Sequence, residues 1–146
     1  MEERFEVAVG AGTLMSASGS AVRFPHRWTP GGVTVDAGFT GGHLLHLAVA
    51  GCVLNDMYRE AAALGIELMG VRVIAAGGFD TGTWQSAGIG YVVEVDSGAP
   101  ADQLADAIRR RWLGLAGGRT AAVVQLHRPG DGVSGARCSS HPDCAG

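Results

Sequence analysis

Polar and apolar positions follow two different rhythms along this chain. Up to residue 40 they alternate over short stretches: Phe5, Val7 and Val9 against Glu6 and Ala8, then the segment around Ala21 to Phe24, then Val33 to Ala37. A period of two belongs to a half-buried strand. Glycine, serine and proline at 10–12, 16–20, 25 and 30–32 separate these stretches, so the pattern predicts three or four short antiparallel strands joined by hairpins. From Gly41 to Leu64 no proline interrupts, Thr40 is placed as an N-cap and Gly65 as the residue that ends a helix. The first half of that helix, His43 to Leu54, is apolar nearly all round, while Asn55 to Glu60 is amphipathic. A helix that is apolar on every face is expected to be enclosed by protein, and Ala48, Ala50 and Gly51 are small enough to let another backbone approach.

Two further strands are expected at Gly70 to Ala76 and Gly88 to Asp96, linked by a glycine-rich connection through Asp80 and Trp84. Pro100 then opens a second helix with Leu104, Ile108, Trp112 and Leu115 as its apolar stripe, and a final strand covers Thr120 to Leu126. The order βββ-α-ββ-α-β, with antiparallel patterns, is that of an α+β fold. It forms one domain over residues 1–128, followed by a cysteine-containing tail at 129–146 that reads as disordered.

Composition narrows the picture. The chain has 146 residues, 47% of them hydrophobic and 17% charged, which suits one folded domain and not a disordered chain. The longest apolar stretch carries His43, His46 and three glycines, so it reads as a buried helix and not a bilayer span. A net charge of −3 leaves no electrostatic footprint for nucleic acid or an anionic membrane. The start MEERFEVAV lacks a basic segment followed by an apolar run, and a cytoplasmic location is expected. In such a reducing compartment the three cysteines are not a disulfide framework. The glycine pairs follow no phosphate-binding pattern, and no cofactor is expected. Cys138, His141 and Cys144 in the tail are spaced like soft metal ligands but would need a fourth; incidental tail residues are the plainer reading, and no metal is expected.

Cys52 is the position where chemistry is most at home. On a helix it shares a face with Leu45, Ala48, Val49, Asp56 and Arg59, with Asn55 at the margin. Asp56 opposes a thiolate, and Arg59, two turns away, favours it weakly. Activation therefore has to come from another segment, with Arg23, His26 and Arg27 as candidates. The alternative is a small buried hydrophobe. His43 and His46 lie off the Cys52 face; His43 either lines a pocket or bonds to the helix terminus. Trp28, Trp84 and Trp112 either wall an apolar pocket or belong to the core.

The run TGGHLLHLAVAGCVLNDMYREAAALGIELMGVRVIA resembles the central-helix region of the OsmC/Ohr family of thiol peroxidases (osmotically inducible protein C-like, organic hydroperoxide resistance-like). The leucine pair Leu44–Leu45, the cysteine seven residues later at Cys52, the closing Leu64-Gly65-Ile66 and the strand from Gly70 to Val73 match it, as does the element order over residues 1–128. The resemblance implies an intertwined homodimer with packed central helices. It also implies a peroxidatic thiolate at Cys52 acting on a small organic hydroperoxide, with Arg23 as activator and His43, Asp56 and Trp112 around the pocket. Two departures stand out. Where the family has a resolving cysteine in its second helix, Arg111 or Trp112 stands here, so an external thiol reductant, or Cys138 or Cys144 from the tail, would complete a cycle. Where the family often has Asn-Pro-Glu before the central helix, Thr40, Gly41 and Gly42 stand. The other reading the resemblance allows is a non-catalytic dimeric module that binds a small apolar ligand.

Overall fold

In the computed structural model, which describes residues 2–100, 102–103 and 122–127, the alternating stretches assemble into one six-stranded sheet crossed by one long helix. The elements are β1 (Glu2–Gly12), β2 (Val22–Phe24), β3 (Val33–Asp36), α1 (Gly41–Leu64), β4 (Gly70–Asp80), β5 (Ser86–Asp96) and β6 (Ala122–His127). The sheet order is β2-β3-β1-β4-β5-β6. Every pairing is antiparallel except β5 with β6, which is parallel.

The period-two residues do what their spacing implies. Val7, Val9 and Ala11 of β1, Val71, Val73 and Ala75 of β4, and Tyr91, Val93 and Val95 of β5 are buried. They form one core with Ala50, Val53, Leu54, Met57 and Tyr58 of α1, which packs on β1 and β4. The helix ends where its capping residues say. Thr40 is extended (φ −134°, ψ 168°), and its Oγ1 accepts the His43 amide at 3.3 Å. Gly65 adopts φ 67°, which lets its own amide and that of Ile66 close onto the carbonyls of Ala62 and Ala61 at 3.2 and 2.9 Å.

Four expectations change. β1 begins earlier and runs through Gly10–Gly12, a stretch that looked like a turn, because both neighbours hold it in the ladder: Gly10 pairs with Thr34 on β3 and with Arg72 on β4. β1 and β2 do not form a hairpin; β1 lies centrally, while β2 and β3 form a hairpin at one edge. β6 is parallel to its neighbour, since residues 97–121 are long enough for a crossover, which parallel strands require. Lastly, among the described residues of the single chain the sheet covers only one face of α1, and Leu44 and Leu45 on the other are 42% and 45% exposed.

At the start of α1, His46 is fully buried. Its Nδ1–H donates to the Gly42 carbonyl at 2.7 Å, and Nε2 has no partner. The ring lies near Phe5 and Phe79 and above Gly77, where a Cβ would run into the Gly88 carbonyl oxygen and come within 2.8 Å of Nε2. Asp102 and Gln103 are helical; the rest of the expected second helix, with Arg111 and Trp112, and the tail, with Cys138, His141 and Cys144, lie outside the described residues. Among the described residues no helix is long and apolar enough to cross a membrane.

Candidate functional site

The sheet fixes which way α1 turns, and that decides where Cys52 sits. With His46, Ala50, Val53, Leu54 and Met57 against the strands, Cys52 falls on the outward face and is exposed. Leu44, Leu45 and Ala48 are exposed on the same outward side. The thiol is thus open to solvent and flanked by apolar side chains, not packed as a core hydrophobe. Among the described residues a Cβ on Gly51 would meet nothing within 4 Å, so none of them makes the close helix contact expected there.

Toward the helix C-terminus the charged neighbours are already engaged. Arg59 Nη2 lies 2.7 Å from Asp56 Oδ1, and its Nε donates to Glu60 Oε1 at 3.2 Å. Arg59 therefore answers two carboxylates before any thiolate. Of the three distant candidates, the fold turns Arg23 elsewhere: it lies on the edge strand β2, and its Nη1 donates to the Gly31 carbonyl at 3.2 Å. Arg27 stacks its guanidinium 5.5 Å from the centre of the Trp28 ring. His26 is the one brought to α1. Its Nε2 lies 3.0 Å from Asn55 Oδ1, and its Nδ1 lies 2.7 Å from Thr29 Oγ1, which donates onward to the Gly32 carbonyl at 3.1 Å. That relay holds an imidazole at the helix, one turn past Cys52 in the chain.

His43 is tied to the cap instead, with Nδ1 2.7 Å from Thr40 Oγ1 and its ring edge-on to Phe5 at 5.1 Å. It shares no face with Cys52. Among the described residues no three His, Cys, Asp or Glu side chains gather to hold a metal.

A second feature lies at the other end of the helix. Between the turn after β1, the 28–31 loop, the last turns of α1 and residues 66–69 there is a cleft of about 600 Å3, in the size range of small-molecule sites. Met15, Trp28, Ile66 and Leu68 give it apolar walls, and Tyr58 lines it from the helix. Tyr58 is 7% exposed, and its hydroxyl is buried without a hydrogen-bond partner. Burial pushes its pKa up to about 12, because the phenolate would be poorly solvated there. The His26 ring meets it edge-on at 5.4 Å, so one loop touches both the neighbourhood of Cys52 and the wall of the cleft.

Of the three tryptophans, Trp28 lines this cleft, Trp84 is 65% exposed between β4 and β5, and Trp112 lies outside the described residues. Tyr58 escaped the sequence reading because it shares the stripe of Leu54 and Ala61 and looks like core; what distinguishes it is a hydroxyl with nothing to bond. A phenol within an otherwise apolar stripe was the available signal. No family model matches the chain, and neither does any curated protein or solved structure.

Proposed function

We propose that the chain is an OsmC-like domain that pairs with a second copy through the outward face of α1 and reduces small organic hydroperoxides at Cys52. The observation that carries this reading is the position of Cys52: exposed at mid-helix and flanked by exposed Leu45 and Ala48. In the single chain an apolar hydroperoxide can reach the sulfur there, and pairing through this face must leave it a passage. The thiolate attacks one oxygen of the O–O bond, forming a sulfenic acid on Cys52 and releasing the alcohol once the other oxygen takes up a proton. One thiol of an external dithiol then attacks the sulfenic sulfur and expels water. Its second thiol breaks the mixed disulfide, which restores Cys52 and leaves the external disulfide. His26, held at Asn55 one turn along the helix from Cys52, would serve as the proton carrier.

The test is peroxide consumption with cumene hydroperoxide and dithiothreitol. Wild type is expected to consume it and Cys52→Ser to fall to the rate of dithiothreitol alone. Equal rates in the two proteins would end the enzymatic reading. Light scattering tests the pairing separately: twice the chain mass at micromolar concentration is expected, and a monomeric mass would rule the dimer out. One observation favours the second reading, a dimeric module that binds an apolar ligand without turning it over: the cleft beside Tyr58.

A further inference from the structure

We propose that Thr29 and Asn55 are positioning residues: they fix the neutral His26 ring with its hydrogen on Nδ1 and leave Nε2, the nitrogen turned to α1, as the atom that gives and takes a proton. The use of that atom rests on the peroxide chemistry proposed for Cys52, whereas the tautomer can be read without it. The assignment starts at the far end of a chain of bonds. The Gly32 carbonyl can only accept, and the Thr29 hydroxyl, 3.1 Å away, spends its single hydrogen there. The hydroxyl oxygen is then an acceptor toward the ring, so Nδ1, 2.7 Å from it, carries the hydrogen. A neutral imidazole has only one, and Nε2 keeps its lone pair. The carboxylates that follow on the helix, Asp56 and Glu60, are engaged by Arg59, so a hydroxyl does the orienting.

Asn55 meets Nε2 in both of its states. Its Oδ1, 3.0 Å away, takes the hydrogen of a protonated Nε2, and a half-turn of the same exposed carboxamide presents its NH2 to the bare lone pair. The ring plane is held between Trp28, centred 5.5 Å away, and Tyr58, met edge-on at 5.4 Å. In the peroxide step Nε2–H gives its proton to the alkoxide oxygen that leaves as the Cys52 thiolate takes the other oxygen. The first thiol of the external dithiol loses its proton to the hydroxide it expels as water. Nε2 takes the proton of the second thiol as that thiol breaks the mixed disulfide, which restores the ring and the Cys52 thiolate together.

Nitrogen-15 correlation spectra of the imidazole, recorded on the full chain at alkaline pH where the ring is neutral, read the tautomer directly. Wild type is expected to show the His26 hydrogen on Nδ1. Thr29→Val, which keeps the shape and removes the hydroxyl, should move it largely to Nε2, and Thr29→Ser should return it to Nδ1. Kinetics give a second readout. Cumene hydroperoxide expels an alkoxide that needs a proton, whereas peracetic acid expels acetate, which does not. His26→Phe should slow consumption of the hydroperoxide by about 100-fold and Thr29→Val by about 10-fold, with Thr29→Ser close to wild type. All three variants should consume peracetic acid at close to the wild-type rate. An Nε2–H tautomer in wild type, a tautomer untouched by Thr29→Val, or equal slowing with both oxidants would each overturn the proposal. A wild type that consumes no peroxide ends the peroxidase reading instead, and the spectrum still decides the tautomer.

Discussion

The two faces of α1 are built from similar residues and have opposite fates. Ala50, Val53, Leu54 and Met57 are at most 5% exposed against β1 and β4, while Leu44 and Leu45 remain more than two-fifths exposed. Leucine and small residues occur on both. The difference lies in what stands opposite: among the described residues the sheet packs on one long helix, α1, and a sheet covers a helix only on one side. An apolar stripe thus states a demand for cover without stating its source. For the inner face the source is this chain. For the outer face the proposed source is a second copy.

The sharpest way to break that comparison is to truncate one leucine on each side. Leu54→Ala should lower stability by about 2–5 kcal/mol in urea unfolding, by the same amount at any protein concentration. Leu45→Ala should change the stability of the single chain by no more than about 0.5 kcal/mol yet lower the unfolding midpoint increasingly as protein concentration falls, the signature of a weakened dimer. Equal, concentration-independent losses would show that both faces are covered from within. Next in size is Gly77→Ala. Its Cβ meets the Gly88 carbonyl and the buried His46 ring, and crowding of that kind costs about 1–3 kcal/mol, again by denaturation.

Thr40→Ala removes the cap that orients both faces, since Oγ1 takes the His43 amide and contacts His43 Nδ1; about 1 kcal/mol should be lost. The smallest effect is expected from Tyr58→Phe, near neutral for stability at pH 7 because the deleted hydroxyl was unpaired. Its consequence appears in alkali. Burial raises the folded pKa from 10.0 to about 12, so deprotonation favours the unfolded chain. The stability held by the neutral phenol is complete below pH 10 and lost as the pH climbs toward 12. Circular dichroism across that window should show a shallower loss in Tyr58→Phe than in wild type, with a remainder from Tyr91, whose pKa burial also raises.

The elements of this fold were legible wherever one residue type carries a local instruction. Thr40 and Gly65 bound the helix to the residue, because capping is decided within one turn. Pairing was not legible. Gly10 to Gly12 look like a turn in isolation and become strand only because β3 and β4 flank them, and the parallel β5–β6 pairing depends on a crossover whose hand and length no period-two pattern records. The site divides the same way. Cys52 was identifiable from its place on the helix, and the structure added the direction it faces. His26 was one of three candidates, with Arg23 preferred; the Asn55 contact singles His26 out, and it spans 29 positions in the chain. The cleft depends on four separate segments meeting, so only its tryptophan was visible beforehand.

β1 leaves the ribosome before β4 and ends in the middle of the sheet, paired along its whole length with β4, from Glu2 opposite Asp80 to Gly12 opposite Gly70. At the usual ~5–20 residues per second, several seconds of synthesis separate the two. During that interval α1 has been made but the strands it must cover have not been completed. The nascent chain then carries both apolar faces of the helix bare, and chaperone dependence in this protein should be concentrated before Asp80 emerges.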